Sequence, residues 1–346
     1  MPFQASKALI PTLLRTVTPN SDDAERQMVL ANPQKILLIK QSERLGNIVL
    51  MNSGISGLAE AFPGIKIDLL LPAGYVDVMK GNVHINKIIP VQKRQYIYMP
   101  WKLIGLIARI RAEKYNLAID CSDVHSHSST GASYALLAGA RLIAGWKTGE
   151  KQLFDIEIPR YSEQVHASEM YVKLFSGIIG KKMCGEPYFD NFSAGSNSPT
   201  GSVVGINCGG RGTKRWLLDN FVKVGSQLAT LGLKVDFILG PEEKPLREQL
   251  RRSLPYNCDL LPLLPLAKLM DIISTYRVFI SSDTGPMHLA WCLKVPTIAI
   301  FLDSELDKFK PLSSGSVAID GQDGVTPEKI FTYAMDILGR NSSKDK

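Results

Sequence analysis

From Lys35 onward the chain alternates short apolar runs of strand length with longer segments whose apolar residues recur at helical spacing. That alternation predicts parallel α/β architecture, because parallel strands are covered on both faces by the helices that connect them. In the first half, Lys35–Ile39, Ile65–Leu71, Lys87–Val91, Leu117–Cys121 and Arg141–Gly145 are predicted strands. Residues 190–201 are then poor in apolar side chains and rich in Ser, Asn, Gly and Pro, the composition of a linker. The alternation restarts with Ser202–Ile206, Lys234–Leu239, Arg277–Ser281 and Pro296–Ile300. The expected organisation is an N-terminal extension over 1–34, doubly wound domains over 35–189 and 202–325 flanking the linker, and a C-terminal helix and tail over 326–346. In such sheets ligands bind beyond the carboxyl ends of the strands, so the residues just after each strand are where chemistry is expected.

Composition agrees with this plan. At 346 residues and 45% hydrophobic content the chain suits two cores, since single cores stop growing at about 250–300 residues. Cys121, Cys184, Cys208, Cys258 and Cys292 form no Cys-x-x-Cys pair, which points to a reducing compartment. Pro11 and Arg15 interrupt the apolar patch near the N-terminus, and nowhere do about 18 apolar residues run together. A cytoplasmic location without a membrane span is expected. The net charge of +7 favours anionic partners. Between Lys93 and Lys114 six basic residues face one acid and are interleaved with Tyr96, Tyr98 and Trp101. That stretch reads either as a solvated helix face or as a surface for an anionic acceptor or membrane headgroups.

The strongest candidate for chemistry follows the run Arg277–Ser281. There Asp283-Thr284-Gly285-Pro286 leads into a helix opening on Met287-His288. Asp or Thr would cap that helix, Gly285 would let backbone approach a ligand, and the helix N-terminus suits a phosphate. His288 would add a polar group on the ligand side. A plain strand-to-helix turn uses the same residues. After Ser202–Ile206 comes a glycine-rich turn, Asn207-Cys208-Gly209-Gly210-Arg211-Gly212-Thr213-Lys214-Arg215-Trp216, which lacks Walker A spacing but combines close backbone approach with cations for a diphosphate, or is a basic loop on a solvated rim. After Lys234–Leu239, an acid of Gly240-Pro241-Glu242-Glu243 would accept hydrogen bonds from ribose hydroxyls, or would simply sit in the first turn of a helix where acids are favoured.

Other chemistries find little footing. No Asp-x-Asp loop occurs, and Asp155 and Glu157 alternate with Phe154, Ile156 and Ile158 as on the wet face of a strand. His125-x-His127 lacks a third ligand at metal spacing. Neither a Gly-x-Ser-x-Gly elbow nor a Gly-x-Gly-x-x-Gly turn is present. No metal and no cofactor are expected, and the basic residues form no recognisable nucleic-acid reading module.

Taken together and in order, these segments resemble glycosyltransferase family 9, the ADP-heptose:lipopolysaccharide heptosyltransferases, over about Lys35–Pro311. The matches are Arg44-x-Gly46 after the first strand, Phe62-Pro63-Gly64-Ile65-Lys66-Ile67-Asp68, His166-x-x-Glu169, Gly209 with Lys214-Arg215-Trp216, Gly240-Pro241-Glu242, and Asp283-Thr284-Gly285-x-x-His288-Leu289-Ala290. The resemblance implies an α/β fold of GT-B type, two Rossmann-like domains facing across a cleft. The donor would bind to the C-terminal domain and the acceptor to the N-terminal one. It further implies metal-independent transfer, with inversion, of a heptose or similar sugar from an ADP-sugar to a lipopolysaccharide core or other anionic bacterial glycan, at or near the inner face of the cytoplasmic membrane. Lys214 would hold the diphosphate together with Gly209, Arg211 and Arg215. Glu242 would hold the ribose, and Asp283, Thr284, Gly285 and His288 the phosphates and sugar. Arg44 and Gly46 would lie on the acceptor side.

One position departs from the family pattern. Where members carry Gly-Asp, whose Asp is the general base, this chain has Gly46-Asn47. An amide cannot take the acceptor proton. Asp123, Glu43 and His125 are the nearest substitutes, or Asn47 merely caps its helix. The alternative function is therefore a protein that binds a nucleotide sugar with weak or no transfer.

Overall fold

The computed structural model describes residues 10–18, 21–42, 44–124, 128–161, 164–189 and 203–342. The expected linker at 190–201 and the candidates Glu43, His125 and His127 lie outside them. The chain divides into two compact units, Met1–Pro187 and Tyr188–Lys346.

The first unit is built on β1 (Lys35–Ile39), β2 (Lys66–Pro72), β3 (Ile85–Val91), β4 (Leu117–Asp120), β5 (Leu142–Trp146) and β6 (Ile156–Ile158). They form one sheet in the order β3-β2-β1-β4-β5-β6, with every ladder parallel. The central strands are buried on both faces, which is why they read as continuous apolar runs rather than as alternation. Residues 10–16 are helical, and Asp23–Ala31 forms a further helix before β1. The first of these is tied to the sheet by Arg15, whose Nη2 donates to Asp155 Oδ1 at 2.7 Å. Asp155 also accepts from the Ile143 backbone N–H at 2.9 Å. It is buried, not on a wet strand face as its alternation with Phe154 and Ile156 had implied. A carboxylate is stable there only because a cation and an amide satisfy it.

The second unit repeats the topology. Strands β7 (Val203–Asn207), β8 (Lys234–Ile238), β9 (Cys258–Leu260), β10 (Val278–Ser282), β11 (Thr297–Phe301) and β12 (Val317–Asp320) order as β12-β11-β10-β7-β8-β9, again all parallel. Tyr188 and Phe189, expected at the end of the first domain, already pack here. The Phe189 N–H donates to the Cys292 carbonyl at 3.1 Å, and the Tyr188 ring meets Trp291 edge-on. The last helix, Pro327–Ser342, is part of this unit too, with Ile330, Ala334, Ile337 and Leu338 in its core.

Each sheet reverses its strand order once, between β1 and β4 in the first and between β7 and β10 in the second. At such a switch point the connections leave in opposite directions and a crevice opens at the carboxyl ends.

Candidate functional site

At the β7/β10 switch point, Asn207 closes β7 with its side chain buried. Its Nδ2 donates to Ser281 Oγ and to Thr284 Oγ1, each at 2.9 Å. This explains a departure from the expected cap. Thr284 is the N-cap residue of helix Gly285–Cys292, but its hydroxyl is engaged with Asn207 and Ser281, and no side chain caps the helix. The first-turn N–H groups, which have no intrahelical acceptor, stay available to an anion.

Asp283 does not cap either. Its Oδ2 accepts from Lys214 Nζ at 3.4 Å, and its Oδ1 lies 3.5 Å from His288 Nε2. Burial by itself would push the Asp283 carboxyl up, but the hydrogen bond from His288, then the Ser304 hydroxyl and the charge of Lys214, hold it below the usual carboxylate range. His288 is only 4% exposed. Its Nδ1 accepts from the Trp291 indole N–H at 3.4 Å, so the proton sits on Nε2, which faces Asp283. The His288 ring, expected on the ligand side, is buried with its Nε2 toward Asp283. Lys214 differs, since its side chain is 43% exposed and able to swing toward a second anion.

The glycine-rich turn lies beside this cluster. Gly210 has φ 146°, a conformation that side chains disfavour, and a Cβ there would meet the Arg215 side chain at 3.0 Å. A Cβ on Gly209 would lie 3.1 Å from Glu243 Oε1, and that same oxygen accepts from the Gly210 N–H at 3.3 Å. Glu243 therefore braces the turn; Asn207 and Glu243 lie within the segments expected to carry chemistry, whereas the part Ser281 plays beside Thr284 was not expected. Polar residues closing an otherwise apolar strand were the available signal for Ser281. Arg211 donates from Nε and Nη2 to the two carboxylate oxygens of Glu242, at 2.9 to 3.2 Å, with both side chains exposed. Arg215 is half-buried at the end of the turn.

At the β1/β4 switch point a different polar cluster appears. Lys40, directly after β1, is buried, and its Nζ crosses to donate to the Cys121 carbonyl after β4 at 2.8 Å. Its ammonium also lies 4.9 Å from the centre of the Tyr171 ring. Beneath it, burial pushes the Asp120 carboxyl up to about 7, and the same cause lowers Lys40. Gly131 is required here, because a Cβ would fall 2.4 Å from Asp120 Oδ1. Asn47 lies inside helix Leu45–Val49, whose N-cap is Arg44, so Asn47 does not cap it. Instead Asn47 Nδ2 donates to Asp123 Oδ2 at 3.3 Å, and the Asn47 carbonyl accepts from the Tyr171 hydroxyl at 2.9 Å. Gly46 is buried in the same helix and Arg44 is exposed at its start. Among the described residues no group of three or more His, Cys, Asp or Glu is placed to hold a metal.

Two doubly wound parallel sheets with polar clusters at both switch points define an α/β protein of GT-B type. The solved structure of E. coli heptosyltransferase WaaC with ADP has this fold, at TM-score 0.76 and 18% identity, over 88% of this chain and 99% of that one. The E. coli WaaC structure with ADP-2-deoxy-2-fluoro heptose aligns at TM-score 0.72 and 17% identity, covering 87% of this chain and 99% of that one. Lipopolysaccharide heptosyltransferase 1 of E. coli K12 is 23% identical over 287 residues, 77% of this chain and 87% of that protein. The family described as glycosyltransferase family 9 (heptosyltransferase) matches residues 104–333. The chain belongs to this family and is a glycosyltransferase.

Proposed function

We propose that the chain moves a heptose or similar sugar from an ADP-sugar to a lipopolysaccharide core or other anionic bacterial glycan, with inversion and without a metal. The observation that carries this reading is the Lys214–Asp283 contact, 3.4 Å, beside an uncapped helix N-terminus at the β7/β10 switch point. Departure of a nucleoside diphosphate builds negative charge, and a cation held by a depressed carboxylate next to free backbone N–H groups stabilises it without waiting for reorganisation. The choice of donor is supported by the E. coli neighbours solved with ADP and with a fluorinated ADP-heptose. Titration with ADP-heptose, followed by transfer to heptose-free lipopolysaccharide in the presence of EDTA, tests the reading. Product formation that EDTA leaves intact is expected.

The identity of Asn47 favours a second reading, a nucleotide-sugar binder without turnover. Binding with no transfer to any core acceptor, unchanged in Asn47→Asp, would establish it.

The acceptor places the reaction at the inner face of the cytoplasmic membrane in this proposal. No described helix is long and apolar enough to cross a membrane. Helices Lys93–Tyr98 and Pro100–Ala112 leave Ile97, Tyr98, Trp101 and Ile104 more than 60% exposed, beside Lys93, Arg94 and Lys102. Apolar tips set among cations suit an anionic lipid surface. Flotation with vesicles containing anionic lipid should retain the wild type and lose Trp101→Ser/Ile104→Ser.

A further inference from the structure

Transfer of a sugar to a hydroxyl releases a proton, and the Asn47 amide has no basic site to take it. We infer that Asp123 is the general base of the transfer and that Asn47 is a positioning residue that holds the Asp123 carboxylate. The inference rests on the transferase reading and names the proton acceptor within it.

Three observations carry it. The two residues follow β1 and β4, the adjacent strands of the first sheet's switch point, where a substrate hydroxyl is expected. The Asn47 amide donates to Asp123 Oδ2 at 3.3 Å, a contact that takes one lone pair of a carboxylate built to accept several hydrogen bonds. Both residues are half-buried, and each is pinned from its protein side. The Tyr171 hydroxyl donates to the Asn47 carbonyl at 2.9 Å, Lys40 Nζ ties down the Cys121 carbonyl at 2.8 Å, and the Val124 N–H donates to Met170 Sδ at 3.3 Å. A carboxylate fixed from behind and reachable from in front is what proton abstraction requires.

In the step itself, the acceptor oxygen forms a bond to the anomeric carbon while the bond from that carbon to the diphosphate oxygen breaks. The electron pair of that bond leaves with ADP. The hydroxyl proton passes to Asp123 and from there to water.

The test compares wild type, Asp123→Asn and the exchanged pair Asn47→Asp/Asp123→Asn, using ADP-heptose and heptose-free lipopolysaccharide and reading ADP release. Asp123→Asn should lower kcat by about a hundred- to ten-thousand-fold, as loss of a general base does. Its affinity for ADP and its melting temperature should stay at wild-type values. The acid limb of the wild-type pH profile should disappear with it; among the described residues, Lys40 after β1 and Tyr171 on helix Ala167–Ile179 are titratable groups that interact with Asp123. The exchanged pair keeps an amide and a carboxylate at hydrogen-bond distance and should recover to within about tenfold of wild type. Because it preserves the contact, it carries the test if Asp123→Asn fails to fold, and an exchanged pair without turnover then overturns the inference. Asp123→Asn turning over at the wild-type rate with an unchanged acid limb also overturns it, leaving the transferase reading intact. A wild type that binds ADP yet transfers to no acceptor overturns the transferase reading itself.

Discussion

The two switch points are the same place in the same topology, yet they hold their charges in opposite ways. After β7 and β10 the cation is Lys214, half-exposed and attached loosely to Asp283. After β1 and β4 the cation is Lys40, 1% exposed, donating to a backbone carbonyl and packed over Tyr171. Lys214 is 43% exposed and its contact is long, while Asp283, only 9% exposed, has His288 as a second partner, so in the proposed reaction Lys214 would change partners when a diphosphate arrives without leaving Asp283 alone. A buried group cannot leave without abandoning its partners uncompensated, so Lys40 fixes geometry. One site is arranged to exchange ions with a ligand, the other to hold a reacting group still.

Lys214→Ala breaks the comparison most sharply. Removing a preorganised charge aimed at the leaving group should lower kcat/KM for transfer by about a hundred- to a thousand-fold. Because the side chain is 43% exposed, the fold should hardly notice, with the melting temperature within about 2 °C of wild type. Steady-state kinetics beside a thermal melt reads both. A large loss of stability with little loss of transfer would show that Lys214 is a structural partner like Lys40.

Glu242→Gln sharpens the donor side further. Its pair with Arg211 is exposed at both ends, so the stability change should be under about 1 kcal/mol. If Glu242 takes the ribose hydroxyls, the Kd for ADP should rise about tenfold, the cost of one hydrogen bond to a charged group. Calorimetry decides it. An unchanged Kd would transfer the role to Glu243, whose carboxylate already lies under the glycine-rich turn.

These distinctions were only partly legible in the sequence. Buried central strands announced themselves, since β1, β4, β7 and β10 are apolar runs with polar residues only at their ends. Edge strands β9 and β12 did not, being three and four residues long, partly exposed and carrying Asp259 and Asp320. The motif after β10 was read from spacing, and spacing along a chain does not say which way a side chain turns. The inward face of His288 depends on Trp291, and the lost Thr284 cap depends on Asn207, 77 residues away. The Asn47–Asp123 contact spans 76 residues for the same reason. Sequence supplied the two partners as alternatives, and only the β1–β4 pairing makes them a unit.

The acceptor-side cluster yields the subtlest prediction. Burial pushes the Asp120 carboxyl from 3.8 to about 7 and also lowers Lys40, so both groups are driven toward their neutral forms. A carboxyl raised on folding holds a proton that the unfolded chain has released. Its contribution to stability is therefore present below about pH 4 and is lost as the pH rises through about 7. Asparagine resembles the protonated acid, so Asp120→Asn should melt close to wild type at about pH 3.5, where Asp120 is neutral in both the folded and the unfolded chain. At pH 8 the wild type must either ionise Asp120 in a buried site or hold it neutral against the solvent. The variant avoids both and should melt a few degrees higher, on the scale of about 2–4 °C per kcal/mol for units of this size. Melting curves at the two pH values are enough. Asp120→Asn melting below wild type at pH 8 would mean that the carboxylate is held ionised as the partner of the Lys40 ammonium. Lys40 would then hold the β1/β4 switch point by charge as well as by its hydrogen bond to Cys121.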